Sequence, residues 1–127
     1  MTNSTSPILV IDDEEGIRDY VRFVLEKAGR TVYDAADGSA GIQLLEDHAD
    51  AIVITDLVMP GKEGIETIVA MRRANSCVRI IAMSGVGNKD TYLKLAQGIG
   101  ADGSLSKPFT SAELLAAVAA VSKKCAD

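Results

Sequence analysis

An α/β fold, with a parallel sheet covered on both faces by helices, is predicted from three observations. Short runs of continuous, β-branched-rich apolar residues recur along the chain, as strands buried on both faces require. Between them the apolar spacing switches to the helical period. The 127 residues hold no repeat, linker or low-complexity segment that would divide them. Five strands alternating with five helices, joined by right-handed crossovers, make the flavodoxin-like (βα)₅ order 2-1-3-4-5 the expected topology.

Taken in order, Ile8-Leu9-Val10-Ile11 is the first buried strand. From Glu14 to Ala28, the residues Ile17, Tyr20, Val21, Val24, Leu25 and Ala28 recur at helical spacing, with Gly29 as the stop. Thr31–Ala35 reads as a short strand. Asp37 then caps a helix running to about Asp47, with Ile42, Leu44 and Leu45 as its expected inner face. Ala51–Thr55 is the second strongly buried strand, Met59-Pro60-Gly61 breaks the chain, and Glu63–Ala74 reads as a helix. Val78–Met83 is a strand, Asn88–Gln97 a helix ended by Gly98 and Gly100, and Gly103–Ser106 a weak strand. Thr110-Ser111-Ala112-Glu113 matches a capping box and opens a last helix to about Lys123.

Composition narrows the class. Hydrophobic residues make up 47% and charged residues 24% of the chain, with 3 prolines, which excludes disordered and collagen-like chains. The longest apolar stretch, within Leu114–Val121, is far below the ~20 residues that cross a bilayer. Met1–Pro7 has neither a basic nor an apolar segment, so no export signal is read and the expected compartment is the cytoplasm. The net charge of −5 and the absence of a basic cluster argue against direct nucleic-acid binding. Cys77 and Cys125 lack ligand or redox spacing and are expected as reduced thiols. His48, near a helix end between Asp47 and Asp50, is expected to be solvated.

In open parallel sheets ligands bind at the carboxyl ends of the strands, near the switch between strands 1 and 3. There the chain carries Asp12-Asp13, Asp56, Ser84 and Lys107. Three carboxylates in one crevice repel one another, and a hard dication relieves them. Mg²⁺ suits Asp13 and Asp56, because it binds through one or two carboxylates and keeps waters and substrate oxygens on its other sites. Asp12 can act by holding a metal-bound water. A carboxylate is also a competent nucleophile toward phosphorus, and a cation such as Lys107 answers the charge on the transferring group. Ser84 can donate a hydrogen bond to that group.

Ile8-Leu9-Val10-Ile11-Asp12-Asp13-Glu14, Thr55-Asp56-Leu57-Val58-Met59-Pro60 with Gly64, Met83-Ser84-Gly85 and Lys107-Pro108-Phe109 resemble the response-regulator receiver domains of two-component signalling. The resemblance runs from about Ser6 to Ser122. It implies a single receiver domain over 1–127, with a core at about 6–122 and mobile tails at 1–5 and 123–127. It implies that Asp56 accepts a phosphoryl group from a histidine kinase or histidine phosphotransfer protein. It also implies that Asp12, Asp13, Asp56 and the backbone carbonyl of Val58 hold Mg²⁺, and that a cis peptide precedes Pro108. Such a protein modifies itself and turns over no separate substrate. With the chain ending at its fifth helix, output is expected through contact with a downstream protein. That contact is expected on the face of the fourth helix, fifth strand and fifth helix.

The sequence departs from the family in two respects. The aromatic usually found three residues before the lysine is Ser104 here, which removes the ring that reports the switch. Val58 and Val86, two residues beyond Asp56 and Ser84, are aliphatic and cannot orient a hydrolytic water, so slow self-dephosphorylation is expected. Two enzymatic or cofactor rivals fail on residues. A haloacid-dehalogenase phosphatase needs two aspartates separated by one residue. A flavin carrier needs a Ser/Thr/Gly-rich phosphate loop where Asp12–Glu15 stand. The alternative is a receiver-like scaffold that binds partners without phosphorylation.

Overall fold

A computed structural model of the chain describes residues 6–57, 63–85, 94 and 97–122. The elements are β1 (Ile8–Ile11), α1 (Glu15–Lys27), β2 (Val32–Ala35), α2 (Gly38–Asp47), β3 (Ile52–Asp56), α3 (Glu63–Ala74), β4 (Arg79–Ser84), β5 (Gly103–Ser106) and α4 (Ser111–Ala120). Lys94 and Gln97–Gly98 are helical and belong to the helix expected at Asn88–Gln97, whose other residues lie outside the described ones. So do the tails expected at 1–5 and 123–127.

All neighbouring strands pair in parallel, in the order β2-β1-β3-β4-β5. Every residue of β1, β3 and β4 is buried, which is why these strands read as continuous apolar runs. Alternate side chains feed two cores. Ile8, Val10, Ile52, Ile54, Ile81 and Met83 pack with Val21, Val24 and Leu25 of α1 and Leu114 and Val118 of α4. Leu9, Ile11, Val53, Ile80 and Ala82 pack with Leu45 of α2 and Ile68 and Met71 of α3.

The helix ends follow the sequence signals. The Asp37 side chain accepts from Ala40 N, and both halves of the Thr110/Glu113 capping box are formed. Gly29 takes φ 92°, the left-handed conformation that ends α1. On α2, Leu45 is buried with Gly38 and Gly41, while Ile42 and Leu44 are only partly buried. Gly41 sits so close to Ile11 that a Cβ would collide with its side chain.

Three readings are corrected. Strands 2, 3 and 4 each begin one residue later than the apolar runs suggest, and strands 3 and 4 extend to include Asp56 and Ser84, whose polarity hid their place in the sheet. His48 is not simply solvated: it caps α2 and stacks on Tyr33, with ring centroids 4.0 Å apart. Cys77 is disulfide-bonded rather than reduced, and Cys125, the chain's only other cysteine, lies outside the described residues.

The foot of the sheet is closed by Arg79. Its buried guanidinium donates to Ser122 O at 2.7 Å, Asp50 O at 2.7 Å and Ser6 Oγ at 2.9 Å, joining both ends of the described chain to the α2–β3 loop. Among the described residues no helix is long and apolar enough to cross a membrane.

Candidate functional site

Strand register assembles the site at the opposite end of the sheet. Ile11 pairs with Thr55, so Asp12 and Asp56 leave adjacent strands side by side. Ser84 pairs with Ser106 and accepts through its carbonyl from Lys107 N at 2.7 Å, which brings Lys107 to the same crevice. The Lys107–Pro108 peptide is cis. Gly64, early in α3, lies against the carbonyls of Asp56 and Leu57, where a Cβ would collide with backbone. This glycine lets α3 close down on the end of β3.

Asp12, Asp13 and Asp56 converge, each offering a carboxylate oxygen within 4.8 Å of the others. Asp12 is fully buried, Asp56 is 4% exposed, and Asp13 faces solvent. Lys107 Nζ donates to Asp12 Oδ2 at 2.7 Å and lies 3.5 Å from Asp56 and 3.8 Å from Glu14. Burial pushes the Lys107 ammonium value down, but the bond to Asp12 and the charges of Asp56, Asp12 and Glu14 outweigh it, and the net shift is upward. Lys107 is thus held as a cation among carboxylates. Asp12 also accepts from Glu14 N through Oδ1 at 2.9 Å.

The Ser84 hydroxyl is buried, and its Oγ has no hydrogen-bond partner among the described residues. An orphaned hydroxyl is costly to keep in a folded protein, and its place beside an acidic crevice gives it a use only when a further acceptor enters. The donor set itself, three converging carboxylates with one exposed to solvent, fits a hard dication. Val58 and Val86 lie outside the described residues.

A model of the response regulator receiver domain matches residues 8–119. The chain belongs to this family. Solved structures agree with the assignment. The chemotaxis protein CheY4 of Vibrio cholerae is 28% identical, with a TM-score of 0.85 over 93% of this chain and 99% of that one. A response regulator receiver domain protein from Clostridium thermocellum is 30% identical, with a TM-score of 0.81 over 91% and 94% of the two chains. NtrX from Brucella abortus is 29% identical with a TM-score of 0.84, and the match spans 93% of this receiver domain but 27% of NtrX.

Ser104 is exposed on β5 and lines an open cavity of about 470 Å³ with Ser106, Pro108, Phe109, Ala116 and Ala117. Glu113 stands at the same cavity.

Sequence reasoning missed Arg18. Its NH1 donates to the Asp12 carbonyl at 2.8 Å, and its Nε donates to Asp34 Oδ2 at 3.2 Å. The signal was present: a cation in the opening turns of a helix opposes the helix dipole and calls for a counter-charge.

Proposed function

We propose that this receiver domain is a phospho-accepting response regulator. Asp56 takes a phosphoryl group from a histidine kinase or histidine phosphotransfer protein, and the modified domain signals by protein contact. The observation that carries this reading is the placement of the nearly buried Asp56 carboxylate within reach of Asp12, Asp13 and the Lys107 ammonium.

In the transfer, an Asp56 carboxylate oxygen attacks phosphorus, a P–O bond forms, and the P–N bond to the donor imidazole breaks. The electron pair stays on the imidazole nitrogen. Asp13 and Asp56 would hold Mg²⁺ directly, Asp12 through a water, and Val58 through its carbonyl. Bound there, the ion supplies positive charge against the phosphoryl oxygens. Lys107 adds a second positive charge, and the Ser84 hydroxyl would donate a hydrogen bond to the phosphoryl group. The domain turns over no separate substrate. The aliphatic Val58 and Val86 cannot orient a hydrolytic water by hydrogen bonding, so the adduct is slow to leave.

Output runs by contact of β5, α4 and the helix read from the sequence at Asn88–Gln97 with a downstream protein in the cytoplasm. One observation favours the alternative of a phosphorylation-independent scaffold: Ser104, which has no ring to move, stands exposed on β5.

The test is intact mass after incubation with Mg²⁺ and acetyl phosphate, beside Asp56→Asn, followed over hours. One phosphoryl group, absent from the variant and slow to leave, is expected. No adduct in the wild-type chain, together with no binding of beryllofluoride, overturns the reading in favour of the scaffold.

A further inference from the structure

We propose that Arg18, anchored by Asp34, is a positioning residue for Asp12 and Asp13, and that it sets how tightly the acidic crevice holds a divalent cation. The inference rests on the reading of that crevice as a Mg²⁺ site.

The two aspartates are held very differently. Asp12 is fixed from four directions: its N–H donates to Ala35 O, its carboxylate accepts from Glu14 N and Lys107 Nζ, and its carbonyl accepts from Arg18. Asp13 has no hydrogen bond or ion pair of its own among the described residues, and it is exposed. Its direction is therefore inherited from the Asp12–Asp13 peptide, and the oxygen of that peptide is the one Arg18 grips at 2.8 Å. The Arg18 side chain is 17% exposed, so the bond is largely shielded from competing water.

Charge decides what kind of help this is. A bare guanidinium beside the crevice would repel a dication. Asp34 Oδ2 lies 3.2 Å from Arg18 Nε and answers that charge, and Arg22, which reaches Asp34 Oδ1 at 3.0 Å, has its own counter-charge in Glu26 at 2.8 Å. The crevice thus receives the hydrogen bond of Arg18 with little of its positive field. Partners of this kind, one step removed from a metal, typically change affinity by about 10- to 100-fold when lost.

Arg22 supplies the control. It shares Asp34 with Arg18 and also binds Glu26 and the Val32 carbonyl, yet none of these bonds reaches Asp12. The experiment is a calorimetric Mg²⁺ titration of the full chain, with melting of the metal-free proteins recorded in parallel. Arg18→Met should weaken Mg²⁺ binding about tenfold. Arg22→Met should change it less than about twofold, although both lower the melting temperature. Arg18→Lys keeps one donor; it should fall between wild type and Arg18→Met, and it carries the test if Arg18→Met does not fold. Wild-type affinity in Arg18→Met or Arg18→Lys, or an equal loss in Arg22→Met, overturns the inference while leaving the Mg²⁺ site standing. A wild-type chain that binds no Mg²⁺, or an Asp13→Asn variant that binds it as wild type does, overturns the reading of the crevice itself.

Discussion

The Lys107 ammonium donates to Asp12 Oδ2 at 2.7 Å, closer than its 3.5 Å approach to Asp56. The pair spans 95 positions of sequence and joins the ends of β1 and β5 across the intervening strands. Its stability contribution has a definite pH window. The ordinary value of this ammonium is 10.5, and in the folded chain it is raised. The contribution is therefore complete below about pH 10.5 and is lost as pH rises through the raised folded value. Lys107→Met should melt well below wild type at neutral pH without metal, because it leaves the carboxylates unanswered. That gap should narrow steadily above about pH 10.5, where the wild-type lysine discharges. Paired thermal melts from pH 7 to the alkaline limit check this, and a gap constant with pH contradicts it.

Ser84→Ala should separate stability from function. The buried hydroxyl has no hydrogen-bond partner among the described residues, so its removal deletes a polar group that costs about 1–3 kcal/mol to leave unsatisfied. The metal-free variant should therefore melt at or above the wild-type temperature. Its uptake of the phosphoryl group should fall roughly tenfold, the worth of one hydrogen bond to a charged group. Melting and acetyl-phosphate uptake measured on one preparation decide the matter. A destabilised variant with normal uptake would show that the hydroxyl has a structural partner.

The sheet order and the identities of Asp12, Asp13, Asp56, Ser84 and Lys107 were legible because local patterns carry them. Continuous apolar runs marked β1, β3 and β4, and the rule that ligands meet parallel sheets at their carboxyl ends chose the polar residues. Side-chain caps at Asp37 and Thr110 were legible for the same reason, since donor and acceptor lie three residues apart. What escaped depends on contacts far apart in sequence. Arg79 opens a buried strand, and nothing near it announces partners at Ser6, Asp50 and Ser122. The His48–Tyr33 stack requires β2 and the end of α2 to be adjacent in space. The Arg18–Asp34 pair likewise joins α1 to a strand 16 residues on.

Arg79→Met should damage the fold and spare the chemistry. Three bonds from one buried guanidinium tie the N-terminal segment, the α2–β3 loop and Ser122, two residues beyond α4. Loss of the set should cost about 3 kcal/mol, since a hydrogen bond to a charged group is worth ~1.5–3 kcal/mol and the bonds are not additive. For a domain of this size that lowers the melting temperature by roughly 10 °C. The crevice lies at the other end of the strands, so Mg²⁺ affinity and phosphoryl uptake at 10 °C should stay within about twofold of wild type, inside the usual scatter for distant, uncoupled sites. A chevron or melting series alongside uptake at low temperature reads both quantities.

The last prediction concerns switching without a ring. Ser104 has no aromatic group to move inward, and its cavity of about 470 Å³ is open. A population shift still requires a contact that differs between the two states, and the Ser84 hydroxyl, without a hydrogen-bond partner among the described residues, can provide one. Ser84 O accepts from Lys107 N, so movement of Ser84 toward a bound phosphoryl group pulls on the start of the β5–α4 turn directly. Beryllofluoride with Mg²⁺ should therefore shift backbone NMR signals at Gly85 and from Leu105 to Phe109. Ser104→Tyr should fill the cavity and enlarge those shifts, because a ring adds a second element that senses the same movement. Beryllofluoride binding with no shift across residues 85–110 would show that phosphorylation does not reach this face, and output would then run through another surface of the receiver.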